Sequence, residues 1–126
     1  MQTCNVVVVV GQVAQAASPL SVSGEALVSF EVVLEGPGGR REAAPVVATP
    51  ELCGEQGPPP GPVVVIGRVR QRFFRVNGAT QSRTEVVAER VVSGADGPEA
   101  ARALAAAARR VLGAARLVGV GEGTRS

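Results

Sequence analysis

The chain has 126 residues and a formal net charge of +2; 45% of its residues are hydrophobic, but only 2% are aromatic. Its thirteen basic residues are all arginine, and it has two cysteines and no histidine. The absence of lysine and histidine removes the usual Schiff-base residue and the commonest general base, and two cysteines cannot supply the ligands of a zinc site. The composition therefore predicts one domain that is not an enzyme and holds no metal or other cofactor.

No segment has the features of a membrane span or of a secretory signal. The valine run at residues 6–10 is too short to cross a bilayer, and no positively charged stretch precedes it. Cys4 and Cys53 form no CxxC pair, which favours buried reduced thiols over a disulfide. We therefore expect a cytoplasmic protein with no membrane partner.

The N-terminal part of the chain predicts two strands joined by a loop. Residues 4–14 are rich in valine and interrupted by Gly11, which indicates a strand with a bend or bulge. Residues 16–24 contain proline and several serines, a composition typical of a loop. Residues 25–35 form the second strand. One of its faces is wholly apolar and should point to the core: Val28, Phe30, Val32 and Leu34.

A turn and a proline-rich connection flank the third strand, which covers residues 40–48. The turn is Gly-Pro-Gly-Gly at residues 36–39, and it lacks the Gly-Lys-Ser/Thr ending of a phosphate-binding loop. Residues 49–62 contain five prolines and three glycines. This connection cannot be a central strand, and any helix at residues 50–56 must be short.

The clearest unit of the sequence is a long hairpin formed by residues 62–76 and 79–92. It turns at Asn77-Gly78, a dipeptide that supplies the two positive φ angles of a type I′ turn. Gly67 marks a second bend in mid-strand. The chain therefore predicts five strands, and two strands interrupted by glycine fit a small closed barrel, in which strands coil sharply.

The hydrophobic period changes to that of a helix after the hairpin. Asp96 can cap this helix, and Pro98 suits its first turn. The predicted apolar stripe consists of Leu104, Ala108, Val111, Ala115 and Val118. Three arginines lie roughly opposite this stripe: Arg102, Arg109 and Arg116. We expect the stripe to pack on the barrel or on a second subunit, and residues 120–126 to form a disordered tail.

Three segments resemble the bacterial single-stranded-DNA-binding protein family. NVVVVVGQV at residues 5–13 is similar to the opening strand of that family, and SFEVVL at residues 29–34 is similar to its second strand. The most specific match is VIGRVRQRFF at residues 65–74, followed by Asn77-Gly78 and RTEVVA at residues 83–88. These segments resemble the family's Gly-x-Leu-x-x-Arg-x-Trp/Phe strand, turn and Thr-Glu-Val-Val strand.

The resemblance covers about residues 4–93, and it implies both a fold and a function. The implied fold is all-β: a five-stranded OB-fold barrel at residues 1–94, with a long hairpin between the fourth and fifth strands. Residues 95–119 would add a C-terminal α-helix to that barrel. The implied function is the binding of single-stranded DNA by a homotetramer or dimer, in DNA replication, repair and recombination.

The sequence also departs from the family pattern in two places. The family stacks bases on aromatic rings along its third strand, whereas residues 41–49 carry alanine and threonine there. The family's acidic tail, which ends in Pro-Phe and recruits other proteins, is replaced by Glu-Gly-Thr-Arg-Ser at residues 122–126. We therefore expect weaker, more electrostatic DNA binding and no recruitment of other proteins by an acidic tail.

The Asn77-Gly78 turn fixes the register of the hairpin. The predicted cross-strand pairs are Val76 with Ala79, Phe74 with Gln81, Arg72 with Arg83, and Arg70 with Glu85. Glu85 can neutralise Arg70, but Arg72 and Arg83 are like charges that destabilise a sheet unless an anion bridges them. Phosphate is the expected anion, and Phe74 is the candidate ring for base stacking beside it.

The candidate DNA-binding residues are Arg68, Arg70, Arg72, Phe74, Arg75, Arg83, Arg40 and Arg41. Arg40 and Arg41 can equally be an exposed loop tip. Of Phe73 and Phe74, one can lie in the core and the other at a subunit contact. The rival function is an OB-fold protein-interaction module that kept its oligomer and lost most nucleic-acid binding. The missing aromatic rings, the low net charge and the added helix favour this rival.

Overall fold

The valine-rich and alternating segments form strands, because β-branched side chains pack well on a pleated sheet. The structure is a computed structural model that describes residues 3–14, 16–94 and 97–118. Its strands are β1 (Val7–Val13), β2 (Ser18–Val22), β3 (Glu25–Glu35), β4 (Arg41–Ala48), β5 (Gly61–Val76) and β6 (Ala79–Ser93). Its helices are α1 (Pro50–Cys53) and α2 (Pro98–Val118), and Pro37–Gly39 forms one 3-10 turn.

Five of the strands close into a barrel. β1 pairs with β5, β5 with β6, β6 with β4 and β4 with β3, and all of these pairs except β4–β6 are antiparallel. β3 returns to β1 through the pairs Gln12–Val33 and Val13–Val32, which close the circle. The predicted fold is therefore confirmed: an OB-fold barrel with a long hairpin, β5–β6, and an added C-terminal helix.

Two glycines allow neighbouring strands to approach each other closely. A Cβ atom at Gly67 would overlap the carbonyl oxygen of Val87, and one at Gly11 would overlap the carbonyl oxygen of Val33. These oxygens belong to the backbone and cannot rotate away, so a side chain at either position would force the strands apart. The bend predicted at Gly67 coincides with a β-bulge, since the β5–β6 register shifts there.

The prediction of a loop at residues 16–24 is wrong, because β2 lies within it. β2 pairs antiparallel with β3 from Ser18–Ser29 to Val22–Glu25. Ser23 and Gly24, with φ of 52° and 82°, form the tight turn between the two strands. β2 is an edge strand outside the barrel, and proline is tolerated in edge strands. Because β2 does not line the barrel core, its serine side chains do not have to be buried. The loop-like composition therefore concealed a short strand.

The barrel interior is filled by aliphatic side chains and one aromatic ring. The predicted inward face of β3 is confirmed, because Val28, Phe30 and Val32 are buried and Leu34 packs against the core. The buried residues of this core are Val9, Val13, Phe30, Val32, Val46, Ala48, Val63, Val65, Val86 and Ala88. The barrel interior is thus occupied by a packed hydrophobic core.

The helix α2 packs on the outside of the barrel of its own chain, but through a face that was not predicted. Ala100, Ala103 and Ala107 are buried against Val64, Ile66 and Val92. The predicted stripe is right only in part: Leu104 packs against this cluster and Ala115 is half-buried, but Ala108 is exposed and Val111 is 44% exposed. The small alanine side chains let the helix backbone approach the valine-covered sheet closely, which the larger residues would prevent.

Ion pairs join α2 to β6 beside the alanine face. Arg110 Nη1 lies 2.8 Å from Glu89 Oε1, and Arg90 Nη2 lies 3.7 Å from Glu99 Oε2. The arginines at positions 102, 109 and 116 are exposed, as the sequence predicts. The predicted cap Asp96 and the predicted tail at residues 120–126 lie outside the described residues.

The cysteines and carboxylates of the described residues form no metal site. Cys4 is exposed and Cys53 is half-buried; both are free thiols, so the expected burial is wrong for Cys4. Within residues 3–14, 16–94 and 97–118, no three His, Cys, Asp or Glu side chains cluster as metal ligands would. Among the same residues, no helix has the length and apolar character needed to span a bilayer.

Candidate nucleic-acid interface

The distal part of the β5–β6 hairpin projects from the barrel as a two-stranded ribbon. β1 pairs with β5 no further than Gly67, and β4 pairs with β6 only at Val86 and Val87. Beyond these positions the two strands of the hairpin pair with each other alone in the described structure. We call residues 68–85 the arm. Every residue of the arm except Glu85 is exposed or half-buried, so these side chains are available to a ligand.

The turn at the tip of the arm has the predicted geometry. Asn77 and Gly78 have φ of 52° and 81°, the two positive angles of a type I′ turn. The Arg75 guanidinium donates a hydrogen bond to the carbonyl oxygen of Gly78 at 2.6 Å, which holds this arginine against the turn. The predicted register is confirmed at all four pairs: Val76–Ala79, Phe74–Gln81, Arg72–Arg83 and Arg70–Glu85.

Glu85 is a buried carboxylate at the centre of the arginine cluster, and only 2% of the residue is exposed. Arg70 donates to Glu85 Oε2 from Nη2 at 2.9 Å and from Nε at 3.2 Å. Arg72 donates to Oε2 from Nε at 2.9 Å and to Oε1 from Nη2 at 3.3 Å. Arg83 Nε lies 4.0 Å from Oε1.

The expectation that an external anion must bridge Arg72 and Arg83 is therefore wrong. Glu85 lies diagonally across from Arg72, with Oε2 2.9 Å from Arg72 Nε and Oε1 4.0 Å from Arg83 Nε, so the protein itself supplies an anion between these two arginines. Diagonal neighbours in a sheet are within reach of long side chains. This signal was readable from the register, since Glu85 is two residues from Arg83 on the same face.

The ionisation of Glu85 follows from this environment. Burial favours the neutral acid and would raise the pKa of Glu85. The hydrogen bonds from Arg72 and Arg70, together with their charges, act in the opposite direction and hold the pKa of Glu85 below the ordinary glutamate value. Glu85 is therefore a carboxylate at neutral pH, and it cancels one positive charge of the arm.

The two adjacent phenylalanines of the arm have different environments. The Arg72 guanidinium carbon lies 5.3 Å from the centroid of the half-buried Phe74 ring, a cation–π contact that occupies one ring face. Phe73 points to the opposite face of the arm, where it pairs across the strands with Ser82, and is 66% exposed. Sequence reasoning selected Phe74 because it shares the face of the arginines, but that same alternation places Arg72 against its ring.

The remaining candidate arginines are accessible. Arg68 is exposed and has no salt bridge within the described residues, and the Arg83 side chain is 39% exposed. Arg40 and Arg41 are exposed next to the β3–β4 turn. β4 runs parallel to β6 with Val46 opposite Val86, so both the start of β4 at Arg41 and the arm lie on the same side of this pair. The turn arginines and the arm thus lie at the same end of the barrel.

Positive charge is concentrated in the arm. Residues 68–85 contain five of the thirteen arginines and one of the eleven acidic residues, which is a net charge of +4. Because the whole chain has a net charge of +2, the other residues together carry −2. The low overall charge therefore conceals a strongly basic projection on a weakly acidic body.

Solved structures with low sequence identity share this fold. The N-terminal domain of PriB from Thermoanaerobacter tencongensis, described as dimeric, is 19% identical with a TM-score of 0.54, over 70% of this chain and 93% of that one. SSB of Plasmodium falciparum, in complex with ssDNA, is 14% identical with a TM-score of 0.51, over 73% and 94%. A mitochondrial single-stranded DNA binding protein of S. cerevisiae is 11% identical with a TM-score of 0.52, over 69% and 91%.

No protein-family model matches the sequence, and neither does any curated protein. At these identities the likeness establishes the fold alone.

Proposed function

We propose that this OB-fold chain binds single-stranded DNA through its arm and is a divergent member of the single-stranded-DNA-binding protein family. The observation that carries the proposal is the net charge of +4 on residues 68–85, next to an aromatic ring that is 66% exposed. A basic ribbon neutralises backbone phosphates, and an exposed ring stacks on bases whatever their identity. The solved ssDNA complex of the Plasmodium protein with the same fold supports the ligand class.

The arm residues have different roles in this proposal. Arg68 and Arg83, which are accessible and not held by Glu85 at hydrogen-bond distance, contact the bound strand directly, and Arg68 does so through a phosphate. Arg70 and Arg72 bind Glu85 and stiffen the arm, and their remaining donors face the ligand. Arg75 extends the basic surface to the tip of the arm. Arg40 and Arg41 continue that surface at the same end of the barrel.

The two aromatic rings of the arm have different roles. Phe73, the more exposed ring, is the stacking platform. Phe74 lies on the opposite face of the arm from Phe73, where it supports Arg72. Because one accessible ring replaces several, most of the affinity is electrostatic and falls steeply with salt.

Fluorescence anisotropy with a labelled dT oligonucleotide of ~35 nucleotides tests the proposal directly. With three to five phosphate contacts, the logarithm of the affinity falls against the logarithm of the salt concentration with a slope of about −2 to −4. Reversing the charges of Arg68 and Arg83 to glutamate abolishes this binding. The matched control reverses Arg102 and Arg109, which are exposed on α2 and lie outside the arm. An absence of binding by the unaltered protein at about 50 mM salt would contradict the proposal.

We further propose that the chain forms a homo-oligomer, a dimer or a tetramer. Val8 and Val10, on the outer face of β1, are 44% and 49% exposed. They pair with Ile66 and Val64, the residues under α2, so they lie next to this helix. Val111 and Leu112 of α2 are also exposed, at 44% and 55%. Exposed apolar side chains of this kind, beside a helix that is covered on one side only, are typical of a subunit contact.

The rival function, a protein-interaction module, has one observation in its favour. Glu85 occupies two of the arm arginines, which reduces the charge left for DNA. Light scattering coupled to size-exclusion chromatography separates the alternatives. If Arg68→Glu with Arg83→Glu leaves the oligomer unchanged and removes DNA binding, the arm is a DNA surface. If the same change alters assembly, the arm is a protein contact.

The composition and the free thiols support the rest of the proposal. The chain has no histidine or lysine for general-base or Schiff-base chemistry, so we infer a non-enzymatic role in DNA replication, repair or recombination. Free Cys4 and Cys53 fit the reducing conditions of the cytoplasm. In this arrangement residues 1–94 are the binding domain and α2 is an addition to it.

A further inference from the structure

A polar pocket lies beside Arg83, between β2, β3 and β6. Its volume is about 210 Å³, and its lining residues are Ala16, Ser18, Ser29, Phe30, Glu31 and Arg83. Ser18 and Ser29 are directly paired across β2 and β3, so the strand that sequence reasoning missed supplies one wall. Four of the six lining side chains can form hydrogen bonds: two hydroxyls, one carboxylate and one guanidinium. The pocket therefore suits a polar ligand that has both donors and acceptors.

The two charged residues of the pocket retain unused hydrogen-bonding capacity. Within the described residues no salt bridge joins Glu31 to Arg83, although both line the same pocket. The oxygens of Glu85 already accept from Arg70 and Arg72, which leaves Arg83 Nε 4.0 Å away. Glu31 thus presents an acceptor, and Arg83 presents donors, to whatever enters the pocket.

We propose that this pocket receives a base of the bound strand and selects guanine; this inference rests on the proposed single-stranded-DNA function. A carboxylate accepts only, and guanine places two N–H donors side by side, on N1 and on N2. A guanidinium donates only, and guanine offers O6 and N7 as acceptors on the adjoining edge. Glu31 and Arg83 together therefore match the polar edge of guanine.

The other bases match this pair of residues less well. Thymine has one N–H between two carbonyl oxygens, which the Glu31 carboxylate repels. Cytosine and adenine each offer one amino group next to an unprotonated ring nitrogen, so the carboxylate gains one hydrogen bond at most. Arg83 belongs to the arm, so a base reaches this pocket where the arm arginines hold the backbone. The pocket accordingly adds base preference to an otherwise sequence-tolerant surface.

Competition anisotropy measures this preference. The reference ligand is a labelled dT oligonucleotide of ~35 nucleotides, and the competitors have isolated thymines replaced by guanine or by hypoxanthine. Isolated replacements avoid guanine quartets, and hypoxanthine differs from guanine by loss of the N2 amino group. We expect the guanine strand to bind about fivefold or more tightly than dT, with the hypoxanthine strand in between.

A charge-matched pair of variants assigns the preference to the pocket. Glu31→Gln removes the carboxylate, and Glu35→Gln makes the same change of charge on the same strand but outside the pocket. We expect Glu31→Gln to bind guanine-containing and dT strands equally, whereas Glu35→Gln keeps the preference. Equal binding of all strands by the unaltered protein, or a preference that survives Glu31→Gln, would overturn this inference and leave the proposed function intact. Failure to bind any strand would overturn both.

Discussion

The Asn5 side chain pairs with the backbone of Val69 as a strand residue would. Asn5 Nδ2 donates to the carbonyl oxygen of Val69 at 2.8 Å, and Asn5 Oδ1 accepts from the Val69 N–H at 3.0 Å. β1 stops pairing with β5 at Gly67, so this side chain extends the β1–β5 ladder to the base of the arm. A single amide thus sets where the rigid barrel ends and the projecting arm begins.

The first prediction concerns this amide. Asn5→Ala removes both hydrogen bonds and leaves the Val69 N–H and C=O to water, at a cost of about 1 kcal/mol because the site is exposed. Hydrogen exchange at the Val69 amide becomes faster, while exchange in the barrel core stays unchanged. Gln71→Ala is the control, since the Gln71 side chain donates a hydrogen bond to the Ser82 hydroxyl across the arm and none to β1 within the described residues. Unchanged exchange at Val69 in Asn5→Ala would show that the amide does not fix the arm.

The second prediction concerns the glycine at the bulge. Gly67→Ala places a Cβ atom against the carbonyl oxygen of Val87, and the sheet must open to accept it. We expect a loss of at least about 2 kcal/mol of unfolding free energy, measured by thermal unfolding followed by circular dichroism. Gly113→Ala in α2 is the control, because nothing lies within 4 Å of its Cβ position and alanine favours a helix by up to about 1 kcal/mol. Equal melting temperatures for the two variants would contradict the close approach at Gly67.

The third prediction concerns Glu85 and pH. The pKa of Glu85 is lowered in the folded state, so its contribution to stability is complete above the unfolded pKa of about 4.3. That contribution is lost as the pH falls through the lower, folded pKa. Chemical unfolding at a series of pH values therefore shows a stability that declines below about pH 4.3.

Substitution isolates the share of Glu85 in that decline. Glu85→Gln leaves Arg70 and Arg72 without their anion and costs about 2 kcal/mol at pH 7, less than a fully buried pair because 30% and 17% of these arginine side chains are exposed. The variant loses part of the acid-dependent decline. Glu35→Gln, an exposed carboxylate on β3, keeps it. Parallel pH profiles for the unaltered protein and Glu85→Gln would rule out the lowered pKa.

Much of the fold could be predicted because its signals are local. The alternation in β3 fixes which side chains enter the barrel, and Asn77-Gly78 fixes the register of the whole hairpin. Gly67 indicated the bend in mid-strand, because only a residue without Cβ permits that approach. Each of these features depends on a few neighbouring residues, and tertiary contacts did not override them.

The features that were missed depend on contacts that a linear pattern does not contain. β2 exists because β3 offers an unpaired edge, whatever the composition of residues 18–22. The buried face of α2 is chosen by the valine-covered sheet, which accepts Ala103 more closely than Val111. The charge balance of the arm depends on the contact between Arg72 and Glu85, which are diagonal neighbours. A prediction that considers only directly opposite residues does not contain this contact.

The last prediction separates the two rings of the arm. Phe73 is 66% exposed, so Phe73→Ala leaves the melting temperature nearly unchanged but removes the stacking platform. Stacking contributes about 1–3 kcal/mol per base, so the affinity for a dT oligonucleotide falls at least about fivefold. Phe74→Ala removes the surface under Arg72 and lowers stability more than Phe73→Ala does, since the Phe74 ring is half-buried.

Anisotropy and circular dichroism on the same two variants give the comparison. Salt weakens the phosphate contacts but not base stacking. The binding free energy lost in Phe73→Ala therefore becomes a larger fraction of the total binding free energy as the salt concentration rises. If Phe74→Ala loses DNA affinity while Phe73→Ala keeps it, the stacking surface is on the arginine face of the arm. The bases would then lie along Arg68, Arg72 and Arg83 on that face.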